Sequence, residues 1–119
     1  MSVLHAGEQL AGSVVVEVSG HVDSSNASEL REALRRVDDQ DAVVIDLRCV
    51  PFMDSAGLGA LICGIRELRI RGGRAALCTR PGAVHRLLHV TGLDRIVPVA
   101  ESLEDARASL AAAGGGLTT

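Results

Sequence analysis

The 119-residue sequence contains no lysine; all twelve basic residues are arginine. A Walker A phosphate loop and a Schiff-base lysine are therefore both excluded. Tryptophan and tyrosine are missing too, and Phe52 is the single aromatic residue. That argues against a single-strand binder built on base stacking and against an aromatic-lined sugar cleft. Cys49, Cys63 and Cys78 are odd in number and widely spaced. They supply neither a C-x-x-C redox pair nor a zinc ligand set, and all three are expected to be reduced and mostly buried. No apolar run approaches the ~20 residues of a membrane span, and Met1-Ser2-Val3-Leu4-His5 lacks the basic flank and apolar stretch of a signal peptide. With a net charge of −3, nothing points to nucleic acid or to an anionic membrane. A cytoplasmic domain without a cofactor, whose partner is another protein, is the expectation these absences leave.

What is present is mostly aliphatic: the sequence is 47% apolar, and its length suits one domain that buries roughly two-thirds of its unfolded surface. Met1–Glu8 and the β-branched, alternating Ser13–Ser19 read as two strands of a hairpin, with Ala11-Gly12 as the turn. Asn26, with Glu29 at capping-box spacing, starts a helix whose apolar positions are Ala27, Leu30, Leu34 and Val37; Asp38-Asp39-Gln40-Asp41 ends it. Ala42–Leu47 is a short, nearly continuous apolar run of the kind buried on both faces of a parallel sheet. Leu58, Leu61, Ile62, Ile65 and Leu68 form the core stripe of a second helix that stops at Gly72-Gly73. Arg74–Thr79 is the next strand, a third helix carries Val84, Leu87 and Leu88, and Ile96-Val97-Pro98-Val99 is a last strand placed at an edge by its proline. A final helix starts at Ser102 with Asp105 three residues on and stops at Gly114-Gly115-Gly116. The order is β-β-α-β-α-β-α-β-α, an α/β fold with a mixed, mainly parallel sheet, in one domain over 1–113 followed by a flexible tail at 114–119.

The chemistry concentrates in Pro51-Phe52-Met53-Asp54-Ser55-Ala56-Gly57-Leu58-Gly59, where the strand pattern gives way to the second helix. A helix N-terminus favours an anion through its unpaired N–H groups and its dipole, so Ser55 is a candidate phosphate carrier. On local sequence it reads equally as a plain N-cap serine. Asp54 and Asp23 read as solvated turn acids as readily as functional ones. Gly57, Gly59 and Gly64 serve either a phosphate cradle or close helix packing.

Four stretches in this order resemble the STAS domain in its bacterial anti-sigma-factor antagonist form: Gly20-His21-Val22-Asp23 leading into Asn26-Ala27, Ile45-Asp46-Leu47, Phe52 to Gly59, and Thr91-Gly92-Leu93-Asp94. The resemblance implies a single STAS domain that is a substrate and binding module rather than an enzyme. Ser55 would be phosphorylated by an anti-sigma factor that is also a serine kinase, and a metal-dependent serine phosphatase would reset it. The unmodified form would bind the anti-sigma factor and release the sigma factor. Asp23, Asp54, Ser55, Gly57 and Leu58 are the implied partner-binding residues, with Leu58 adding contact surface beside the serine. A STAS module that senses a ligand or acts as a scaffold without phosphorylation is the alternative. A hydrolase is disfavoured, because Met53 stands where a nucleophile elbow needs glycine and no histidine is placed as its base. His85 and His89 are spaced for metal but lack a third ligand, so they read as a surface pair.

Overall fold

The computed structural model describes residues 2–10, 13–37 and 42–116, with side chains for 13–37 and 42–111. The elements are β1 (Ser2–Leu10), β2 (Ser13–Ser19), α1 (Ala27–Arg35), β3 (Ala42–Cys49), α2 (Ser55–Ile70), β4 (Arg74–Cys78), α3 (Ala83–Val90), a 3₁₀ turn (Leu93–Arg95), β5 (Val99–Ala100) and α4 (Leu103–Gly116). One sheet holds them in the spatial order β1-β2-β3-β4-β5. β1 runs antiparallel to β2, and the remaining pairs are parallel. The mixed, mainly parallel sheet with an N-terminal hairpin is thus the fold expected from the sequence. The Ala11-Gly12 turn and the acidic stretch at 38–41 lie outside the described residues.

From β2 to β5 every crossover steps the same way across the sheet, and right-handed crossovers then put their helices on one face. Alternation along the strands sends Val16, Val18, Val43, Ile45, Leu47 and Leu77 to that face, where they meet Leu30 and Leu34 of α1, Leu61, Ile65 and Leu68 of α2, and Leu88 of α3. Val15, Val44, Ala76 and Cys78 point the other way, onto Ala106 and Leu110 of α4. Covered on both sides, β3 has no solvent face, which is why its sequence shows no alternation. Each fully buried leucine here contributes about 1.5–3 kcal/mol.

The pairing of α1 with α2 fixes the site helix sideways. A Cβ on Gly64 would collide with the Leu34 side chain, so the absence of one lets the two helices close together. Glu67 of α2 takes Arg31 in a hydrogen-bonded ion pair at 2.6 Å and Arg35 at 3.5 Å. The Arg71 guanidinium donates to the carbonyls of Arg35 and Leu34 at the C-terminus of α1, where a cation also suits the helix dipole.

Several local expectations change. Asn26 occupies the N-cap position of α1 but makes no side-chain cap. It turns back instead, its Oδ1 accepting from Asp23 N at 3.0 Å and its Nδ2 donating to the His21 carbonyl at 3.1 Å. The last strand is shorter and later than Ile96–Val99, because Leu93–Arg95 form a 3₁₀ turn and pairing begins as the Leu77 N–H donates to the Pro98 carbonyl. Cys49 and Cys63 are exposed and only Cys78 is buried, since Cys49 ends its strand and Cys63 faces away from the sheet on α2. α4 runs to Gly116, the last of the three glycines expected to stop it, and so enters the stretch expected as a tail from 114 on; glycine weakens a helix by about 1 kcal/mol per residue but does not forbid it.

Candidate functional site

The site lies where β2 and β3 run past the end of their regular pairing. Gly20, at φ 82°, turns the chain in a conformation that side chains resist, and its N–H donates to the Cys49 carbonyl at 3.0 Å. The Val22 N–H then donates to the Phe52 carbonyl at 3.0 Å, and the Asp54 N–H donates to the Val22 carbonyl at 3.1 Å. This isolated parallel bridge between Val22 and Met53 sets Asp23 beside Asp54 at the C-terminal end of the parallel strands. Below it, the buried Asp46 holds Arg48 through two 3.0 Å contacts. Its carboxylate raises the Arg48 pKa, mainly through that hydrogen bond.

Asp54 is the N-cap of α2: its Oδ1 accepts from the Gly57 N–H at 2.9 Å, and its carbonyl accepts from the Leu58 N–H at 2.9 Å. Ser55 is therefore the first helical residue rather than the cap. Its side chain is exposed, and among the described residues its hydroxyl has no hydrogen-bond partner. The N–H groups of Ser55 and Ala56 sit at the open end of a 16-residue helix, about 24 Å of aligned peptide dipoles. Asp23 accepts from both the backbone N–H and the hydroxyl of Ser25, and these bonds, the hydroxyl first, lower its pKa below the ordinary value. The same bonds favour its ionised form.

The other anticipated site residues sort differently. Gly57 is buried, and a Cβ there would stand 2.8 Å from both Val22 Cγ1 and Val22 O and 2.9 Å from Met53 Cγ. Its role is close packing of the first turn of α2 against the Val22–Met53 bridge. Leu58 is only 9% exposed and belongs to the core, so its expected share of contact surface is corrected: one position beyond Gly57, it turns toward the sheet. Gly59, by contrast, faces open space, four residues after Ser55 on the same helical face. Packing does not require glycine there, contrary to one of the two sequence readings.

Two residues of the bridge segments were named in the sequence motifs without a role of their own. His21 and Phe52, one on each chain segment of the bridge, meet edge to face with ring centroids 5.9 Å apart. Phe52 is 48% exposed, and a lone aromatic immediately before the motif was the available signal. His85 and His89 lie apart from the serine chemistry. His85 Nδ1 meets Thr79 Oγ1 at 3.2 Å, and His89 Nδ1 meets Asp94 Oδ2 at 2.8 Å.

This fold recurs in known proteins. A solved anti-sigma factor antagonist from Mycobacterium paratuberculosis superposes with a TM-score of 0.79 and 35% identity, over 92% of each chain. The anti-sigma F factor antagonist of Paenibacillus polymyxa is 33% identical over 96 residues, 77% of this chain and 81% of that protein. The anti-sigma-F factor antagonist RsfB of Mycobacterium tuberculosis is 31% identical over 97 residues, 80% of this chain and 79% of that protein. The sequence profile described as STAS domain matches residues 7–106, and with that span covered the chain belongs to the STAS-domain family.

Proposed function

We propose that the protein is an anti-sigma-factor antagonist that works by partner switching. In its unmodified form it binds an anti-sigma factor with serine kinase activity and thereby releases a sigma factor in the cytoplasm. Phosphorylation of Ser55 ends that binding, and a metal-dependent serine phosphatase restores it. The names of the relatives support the general role. The observation that carries the switch is Ser55 itself: an exposed, unpartnered hydroxyl at the first residue of α2.

The physics of that position accounts for a switch that leaves the fold intact. A phosphoryl group adds about −1.5 to −2 charge. The N-terminal dipole of α2 favours such a charge by about 0.3–1 kcal/mol, which offsets repulsion from the neighbouring Asp54 and Asp23. Against a partner surface closed over a neutral hydroxyl, the same charge is desolvated without a counter-ion, a penalty of about 3 kcal/mol or more. That corresponds to roughly a hundredfold loss of affinity. We read the serine as an acceptor rather than a catalytic nucleophile, since among the described residues no side chain hydrogen-bonds its hydroxyl as a general base would, and the His21 ring packs edge to face on Phe52.

Incubation with ATP and candidate kinase anti-sigma factors, read by intact mass, tests the reading. One phosphate on the wild type and none on Ser55→Ala is the expected result. No phosphate on the wild type with any such kinase would favour the ligand-sensing alternative, and hydrolysis of a model ester lost in Ser55→Ala would revive an enzyme.

A further inference from the structure

The second half of α2 carries a surface that the Ser55 switch does not use. Ile62, Ile65, Arg66, Arg69 and Ile70 line one side of a groove of about 360 Å³, and Leu93 and Ile96 line the other. The spacing 62, 65, 66, 69, 70 is one face of a helix. Ile65 and Leu93 form a buried floor, whereas Ile70 is 79% and Ile96 61% exposed. These two are among the few large apolar side chains that the described residues leave in water. At 1.5 Å per residue the groove begins about 10 Å and ends about 22 Å along the helix from Ser55.

Its charges are as uneven as its hydrophobicity. On the flank of α2 that faces α1, the arginines Arg31 and Arg35 are matched by Glu67. On the groove flank, Arg66 and Arg69 are exposed; Arg95 in the 3₁₀ turn is exposed as well but does not line the groove. None of these three has an ion-pair partner among the described residues, and no acidic residue lines the groove. We propose that this groove between α2 and the Leu93–Arg95 turn docks an acidic amphipathic helix of a protein partner, its aliphatic face on Ile62, Ile70 and Ile96 and its carboxylates on Arg66 and Arg69.

Each part of that occupant follows from the surface. A row of aliphatic residues at helical spacing beside a parallel wall takes another helix lengthwise, the helix-in-groove mode of recognition. The unpaired guanidinium groups present forked donors that fit carboxylates in bidentate pairs and steer an acidic partner from a distance. A second copy of this chain in twofold contact would instead bring Arg66 and Arg69 against the same two arginines, which like-charge repulsion disfavours. A bilayer is flat and would leave the buried floor of the groove unfilled.

Titration of the isotope-labelled full chain with a synthetic helical peptide, leucines on one face and glutamates on its flanks, tests the proposal by amide chemical shifts. Expected are saturable shifts at Ile62, Ile70, Leu93 and Ile96, with at least tenfold weaker binding to the double variant Arg66→Glu/Arg69→Glu. A matched peptide with lysine in place of glutamate should reverse that preference. Equal binding of both peptides to both chains would overturn the charge pairing, and absence of saturable shifts would overturn the site. Binding only to phosphatidylglycerol vesicles would assign the surface to membranes. A concentration-dependent dimer lost in Ile70→Ser would assign it to a second copy; either result contradicts the proposal. Ile70 is exposed enough for that variant to keep its fold. No kinase enters the experiment, so its failure and failure of the Ser55 switch are separate outcomes.

Discussion

Adding one methyl group at Gly57 or at Gly59 should move stability in opposite directions, although the two glycines are two residues apart on the same helix. Replacing glycine by alanine removes unfolded-chain entropy and raises helix propensity, a gain of about 0.5–1 kcal/mol at either position. At Gly59 the new methyl meets nothing within 4 Å, so Gly59→Ala should be stabilised by about that amount. At Gly57 the methyl would lie 2.8 Å from the Val22 carbonyl oxygen. That oxygen is fixed by the Asp54 N–H at 3.1 Å, so backbone rather than a flexible side-chain end must yield. Overpacking of this kind costs about 1–3 kcal/mol, which leaves Gly57→Ala destabilised by up to about 2 kcal/mol. Because the propensity gain is shared, the difference between the variants isolates the contact at about 1–3 kcal/mol, or roughly 4–12 °C in melting temperature. Urea denaturation of both variants alongside wild type measures it. Two variants shifted together, in either direction, would refute the claim that α2 is seated against the Val22–Met53 bridge by the absence of a side chain.

Removal of the cap in Asp54→Ala should lower stability by about 1 kcal/mol, whereas Asp54→Asn keeps an acceptor for the Gly57 N–H and should lose less; thermal melts of the pair separate the hydrogen bond from the charge. Native protein should react rapidly with Ellman's reagent at the exposed Cys49 and Cys63 and only in denaturant at Cys78, whose burial also holds its thiol pKa above the usual value. Three fast thiols would place the α4 face of the sheet in solvent. Glu67 has a pKa lowered from 4.5, first by its hydrogen bond to Arg31. A depressed carboxylate contributes stability above its unfolded pKa and loses it as pH falls through the folded value. The melting temperature should therefore drop on acidification below about pH 4.5, and less steeply in Glu67→Gln; equal slopes would remove the α1–α2 ion pair from the account.

Legibility in the sequence followed the strength of the physical signal at each place. β3 and α2 were readable because a nearly continuous apolar run, broken only by Asp46, and a long apolar stripe are strong signals. The end of the sheet was harder. Asn26 with Glu29 has the spacing of a capping box, but the same side chain makes two bonds to the 21–23 turn, a tertiary demand invisible to local pattern. Ser55 was singled out as a candidate, yet whether Asp54 or Ser55 caps the helix depends on one residue of phase that hydrophobic periodicity does not resolve. Leu58 was legible as part of the core stripe of α2, where it lies; the contact surface expected of it came from the family resemblance. The groove beyond it needed both α2 and a 3₁₀ turn whose three residues carry no periodic signal.

The most direct test of the central claim compares affinity and fold in the same preparation. Ser55-phosphorylated and unmodified protein would be titrated against the anti-sigma factor that phosphorylates it, with circular dichroism melts run on both. Phosphorylation should weaken binding roughly a hundredfold or more, with an unchanged spectrum and a melt that stays cooperative. Equal affinity of the two forms, or a phosphorylated form that has lost its folded spectrum, would contradict it.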